Sequence, residues 1–187
     1  MASTVGHSLA GLAICLAATP KGEVGRLLRE DKSRIVGYML LANLPDLDFL
    51  VGAVLYGDAE RIHGGILHGL PFAALVALVL AFAIPASASR LRSFLTYFAV
   101  IASHDVMDLF TSYLGVGRGE TTGAAIFAPF VERKITMPIA LFYGPLHGTL
   151  DKLVSLHNVA VVLYECVLFS VVIGLIAFFK APGKPQR

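Results

Sequence analysis

His104 and Asp108 lie four residues apart in the apolar run 94–114, so on a helix both side chains project from one face and can share an ion. Asp46 and Asp48 are a second costly pair, set inside the run 35–56. A carboxylate at membrane depth costs ~2.5–3.5 kcal/mol on insertion scales, which makes an intramembrane pair a functional-site candidate by default. His63-Gly64-Gly65-Ile66-Leu67-His68 places two imidazoles around a glycine turn, and His7 adds another near the start of the chain. Imidazole with carboxylate and no thiolate suits zinc before Mn, Fe or Ni. His7, Asp46, Asp48, His63, His68, His104 and Asp108 exceed one tetrahedral shell, so a centre of two or more divalent metal ions is expected. Such a centre activates water and clamps the oxygens of a displaced group. Phosphoester hydrolysis is its natural chemistry, with Asp46, Asp48, His104 and Asp108 as the catalytic groups.

The backbone must bring these groups together. In a regular helix Asp46 and Asp48 point ~200° apart, at about 100° per residue, and cannot face one ion. Pro45 removes a backbone donor and biases Leu44 away from helix, so a break there can turn both carboxylates inward. Non-helical backbone at membrane depth is tolerated where it lines a polar cavity.

Composition places these residues in lipid. The chain of 187 residues is 56% hydrophobic and 15% charged, with a mean hydropathy of +0.74. A soluble domain carries about 25% charge, so a polytopic membrane protein with a single domain over 1–187 is expected. A short Gly/Ala-rich segment, 5–19, precedes four longer apolar runs, 35–56, 66–85, 94–114 and 158–179. The expected fold is an all-α membrane helix bundle of about five spans, its second helix broken at Pro45. The segment 115–157 carries Pro129, Pro138 and Pro145, and predicts irregular structure with short helices on the outer face. Met1 to Ser8 holds no Lys or Arg, so no cleavable signal is expected. A net charge of +2 with no basic run argues against nucleic acid and leaves membrane lipids and metal ions as partners. Cys15 and Cys166 lack metal or redox spacing and predict inert thiols.

The charges set a topology. Segments 20–34, 86–93 and 180–187 carry ten Lys and Arg, against five, Arg61, Arg118, Arg133, Lys134 and Lys152, in 57–65 and 115–157. The positive-inside rule then makes the first group cytoplasmic, in an inner-membrane protein with its amino terminus outside and its carboxyl terminus inside. All seven metal-ligand candidates fall in the outer half of this layout.

Blander roles compete for each feature. His104 with Asp108 can be a buried ion pair that fixes helix packing, and Asp46 with Asp48 can serve a divalent-cation or proton transporter. His147 with Asp151 reads equally as a surface pair, His157 as an interhelical hydrogen bond, and Glu165 as a lone packing or relay carboxylate.

His7, Leu44-Pro45-Asp46-Leu47-Asp48, His63-x4-His68, Ser103-His104-Asp105-Val106-Met107-Asp108-Leu109 and Phe127-Ala128-Pro129-Phe130 occur in an order that resembles the LexA-regulated, membrane-bound metal-dependent hydrolases (YdjM-like), over roughly residues 1–145. That family is distantly similar to zinc-dependent phospholipase C and P1 nuclease, all-helical enzymes whose zinc ions are held by His and Asp. The resemblance implies His104 and Asp108 as ligands, with Asp46 or Asp48 and His63 or His68 beside them. The family's histidine motif carries Arg, Thr and Ser where this chain has Gly64, Leu67 and Gly69, and Arg61 is the nearby basic residue.

Overall fold

The computed structural model describes residues 1–58, 61–85, 88–112, 122–147 and 150–182. Arg118, Lys184 and Arg187 of the charge count lie outside the described residues, as do 113 and 114 of the apolar run 94–114. In chain order the helices are α1 (Thr4–Ala18), α2 (Val24–Glu30), α3 (Lys32–Ala42), α4 (Leu47–Tyr56), α5 (Leu70–Ala83), α6 (Arg90–Leu109), α7 (Leu150–Leu153) and α8 (Leu156–Lys180). Short 3-10 turns, Leu44–Asp46 and Ile66–His68, precede α4 and α5.

The helix starts follow local chemistry. Ser3, Asp31, Ser89 and Ser155 each accept a hydrogen bond from the backbone N–H three residues on, which begins α1, α3, α6 and α8. α1 is the central element and packs on α3, α6 and α8, while α5 pairs with α6. Gly11 is what lets α1 meet α3: a Cβ there would lie 2.5 Å from the Tyr38 carbonyl oxygen and 2.9 Å from Ala42 Cβ. Gly11→Ala is therefore expected to destabilise the bundle by about 1–3 kcal/mol, the usual cost of overpacking, read as a lower Tm of the detergent-solubilised protein. An unchanged Tm would show that α1 and α3 separate without penalty.

Basic side chains close the opposite end of α1 from its Ser3 cap. Lys180 Nζ donates to the carbonyls of Ala17 and Thr19, each at 2.7 Å, and Arg92 donates to Ala18 at 3.0 Å. The start of α6 and the end of α8 thus meet the 17–22 corner, where Gly22 N donates to the Lys180 carbonyl at 2.9 Å. Cations at a helix C-terminus satisfy carbonyls that have no intrahelical partner.

The helix lengths differ from the expected spans. Among the described residues, one helical stretch, Asp151–Lys180, is long and apolar enough to cross a membrane by length and composition. The pair α3 and α4 passes the same test together, bent by 57° at its break. α1 and α5 have 15 and 14 residues, so each reaches only about 20–22 Å of a ~30 Å hydrocarbon core. α6 has the length, 20 residues, but carries Arg90, Arg92, His104, Asp105 and Asp108. The segment after α6 also contains a parallel strand pair that the proline count did not suggest. β1 (Thr111–Ser112) lies beside β2 (Phe142–Tyr143), with Leu141 and Phe142 N–H donating to the Phe110 carbonyl at 2.8 and 3.1 Å.

Candidate metal centre

Pro45 cannot donate a backbone hydrogen bond, and Asp46 N–H turns back to the Asn43 carbonyl at 3.1 Å instead of the Ala42 carbonyl a continuous helix would offer. The freed Ala42 carbonyl takes His104 Nδ1–H at 3.0 Å. That hydrogen bond fixes the tautomer and leaves the Nε2 lone pair of His104 aimed into the cluster. The same break places Asp46 in a 3-10 turn and Asp48 in the first turn of α4, so both carboxylates face the histidines.

Around His104 Nε2 the donors have the spacing of a single coordination shell. His68 Nε2 is 3.2 Å away, Asp46 Oδ1 3.4 Å and Asp108 Oδ2 3.4 Å. His68 Nε2 is in turn 3.6 Å from Asp46 Oδ1 and 4.0 Å from Asp108 Oδ2. A tetrahedral ion with ligand bonds of 2.0–2.1 Å holds its donors about 3.3 Å apart. His7 stacks on His104, ring centroids 3.7 Å apart, and its Nε2 lies 3.4 Å from Asp108 Oδ1.

Asp48 faces two imidazoles and hydrogen-bonds one of them, His63. Its carboxylate is 2.8 Å from His63 Nδ1, 3.1 Å from His68 Nδ1, and accepts Gly64 N–H at 3.0 Å. Gly64 has φ +76°, a conformation that supplies this donor and that a side chain would strain. A carboxylate on the far nitrogen of a ligating His orients the ring and raises its basicity, and removing such a partner typically costs 10–100-fold in metal affinity. Asp48→Asn is thus expected to weaken metal binding about 10–100-fold, measured by competition with a chelating dye. Affinity equal to wild type would deny Asp48 that role.

All seven proposed ligands meet in three overlapping groups: Asp46, Asp48, His63 and His68; His7, Asp46 and His104; His68, His104 and Asp108. The donor set fits a cation on two grounds. Both ring nitrogens of His7, Asp46 Oδ1 and Asp108 Oδ2 are buried without hydrogen-bond partners. Furthermore, each ion-pair partner of Asp46, Asp48 and Asp108 among the described residues is a histidine. Buried carboxylates at such density need positive charge.

Other polar residues fall elsewhere. His157 Nε2–H donates to the Gly144 carbonyl at 2.9 Å, and the His147 ring lies 5.9 Å from that of Phe49. Neither joins the three groups, and neither does Asp151. Glu165, fully buried in α8, accepts the Ser3 N–H at 3.0 Å and the Ser3 hydroxyl, so it anchors the start of α1. Sequence reasoning missed four contributors. Ala2 N–H donates to Asp108 Oδ1 at 3.0 Å, the Met1 thioether sits on His63 Nε2, and Asp105 is fully buried with both carboxylate oxygens unpartnered. Lys134 lines a cavity of about 150 Å³ over the cluster, with Met1, His63, His68 and Asp108. The signal for Asp105 was its place beside His104; nothing local marked Met1, Ala2 or Lys134.

Fold and site together define a mostly helical protein with a buried His/Asp centre that can hold divalent metal. The chain belongs to the YdjM inner membrane protein family, whose model matches residues 1–181. No curated protein and no solved structure matches it.

Proposed function

We propose that the protein is a metal-dependent phosphoester hydrolase of the inner membrane, acting on a phospholipid headgroup. The observation that carries this reading is the convergence of Asp46 and Asp108 on His68 and His104, whose donor atoms lie 3.2 to 4.0 Å from those of each carboxylate and of each other, with His7 and the Asp48–His63 pair adjoining. More donors than one ion needs favour two or more ions, zinc first by ligand type. A divalent ion held there supplies Lewis acidity toward a phosphoryl oxygen and a nucleophile from water at neutral pH.

The chain's own residues do the rest. Asp46, Asp108, His68 and His104 hold the charge, and Asp48 fixes the rings of His63 and His68. A carboxylate oxygen left over from binding acts as general base. The His-x3-Asp pair at His104 and Asp108 supports kinship with zinc-dependent phospholipase C and P1 nuclease, and LexA regulation comes with the same family resemblance. A five-span arrangement, with α1, α5 and α6 completing the bundle, puts the amino terminus and the cluster outside and the Lys180–Arg92 corner in the cytoplasm. At that depth a site meets lipid headgroups before soluble metabolites.

The test is hydrolysis of bis(p-nitrophenyl) phosphate and of a panel of phospholipids by the detergent-solubilised protein, with and without chelator. Expected is turnover that chelator abolishes and added zinc restores. A metal-loaded protein that hydrolyses none of these substrates would sink the enzymatic reading.

A further inference from the structure

The cluster adjoins a cavity of about 690 Å³ between the 61–67 turn and the 125–134 segment. Asp48 and His63 line it on the cluster side, and Val51, Ile62, Ile66 and Leu67 make its body apolar. Arg61 and Lys134 bring positive charge, with the carboxylate of Glu132 beside them and that of Asp48 held on the cluster side by His63 and the Gly64 amide. Lys134 also lines the smaller cavity that contains His68 and Asp108. An anion held by Lys134 therefore lies between the apolar chamber and the metal ligands.

Apolar side chains are exposed on the lining residue Ile66 and on the turn that contributes Ala128 and Pro129 to the lining. Ile66 is 60% exposed, Phe127 48% and Phe130 82%. The Phe127–Val131 turn is fixed by backbone hydrogen bonds, Phe130 N–H and Val131 N–H both donating to the Phe127 carbonyl at 3.0 and 3.1 Å. The backbone of the turn is thus fixed, with Glu132, Arg133 and Lys134 next in the chain. Exposed apolar residues followed by cations match the boundary between hydrocarbon and phosphates.

We propose that this cavity seats one membrane phospholipid, entering sideways past Phe127 and Phe130. Its phosphate lies at Lys134 beside the cluster, and its apolar part lies against Ile62, Ile66 and Leu67. This rests on the hydrolytic reading of the cluster for its chemistry, and its binding can be tested apart from that reading. A polar metabolite leaves the apolar body unused. A lipid without phosphate leaves Lys134 unused. The volume falls within the ~300–1,000 Å³ of small-molecule sites, enough for a headgroup and the adjoining part of the chains.

The experiment is native mass spectrometry of the full chain in detergent with phosphatidylglycerol, diacylglycerol or glycerol 3-phosphate. Expected is one phosphatidylglycerol per chain, with each of the other two bound at least about tenfold more weakly, the scale of one lost charge-assisted contact. Leu67→Trp, which fills the cavity, and Lys134→Gln each lower phosphatidylglycerol retention about tenfold, and Lys134→Arg restores most of it. Metal content near wild type in these variants separates a lost seat from a lost fold. Retention that ignores both substitutions, or diacylglycerol bound as well as phosphatidylglycerol, overturns the proposal. Lys134-dependent retention in a protein that hydrolyses nothing upholds the lipid seat and refutes the hydrolase.

Discussion

Replacing His104 with alanine is expected to lower chelator-sensitive hydrolysis by on the order of 10³-fold or more. The estimate follows from the several kcal/mol of charge stabilisation a metal supplies, at 1.36 kcal/mol per decade of rate. His104 is the donor from which three others are measured at 3.2 to 3.4 Å, and it belongs to two of the three ligand groups. Its ring is fully buried and held from behind by the Ala42 carbonyl. Alanine there removes a ligand and also leaves that carbonyl without its donor. His104→Gln tests the two losses apart, because its side-chain amide can keep a hydrogen bond without an imidazole. A rate in His104→Ala within a few fold of wild type would exclude the cluster from catalysis.

The second large effect is expected at Asp46. Its carboxylate serves two ligand groups and faces both His68 and His104, at 3.6 and 3.4 Å. Asp46→Ala removes one negative charge shared by these histidines, so both rings lose their common partner. Hydrolysis is expected to fall on the order of 10²–10³-fold, with metal affinity falling in parallel, since the same carboxylate serves binding and chemistry. Asp46→Asn keeps the shape and loses the charge, and is expected to recover little. Full activity in Asp46→Asn, measured with saturating zinc, would contradict a ligand role for this residue.

Much of this centre was legible because short-range rules govern it. His104 and Asp108 follow from helical spacing alone, and the structure places them 3.4 Å apart at the end of α6. Pro45 predicted a broken helix, and the observed 57° bend carries Asp46 and Asp48 to one side. The partition within the cluster was not legible. Asp48 binds His63, His68 and the Gly64 amide because the 61–64 turn folds back over α4, and no local spacing specifies that return. The amino terminus was also opaque. Ala2 meets Asp108 across 106 positions and Ser3 meets Glu165 across 162, contacts that arise when α1 packs between α6 and α8. Apolar runs marked where the helices lie but overstated α5. The run 66–85 opens with a 3-10 turn that delivers His68, and the helix starts only at Leu70.

The central claim is that this His/Asp cluster holds metal, and metal content tests it most directly. Elemental analysis of the purified full chain, after dialysis against metal-free buffer, is to be run beside His104→Ala prepared in the same way. Expected are at least one and up to two or three zinc or similar divalent ions per wild-type chain, with most of that content lost in the variant. Wild-type protein with no stoichiometric metal after reconstitution with zinc, or a variant that holds as much as wild type, would contradict the metal centre itself.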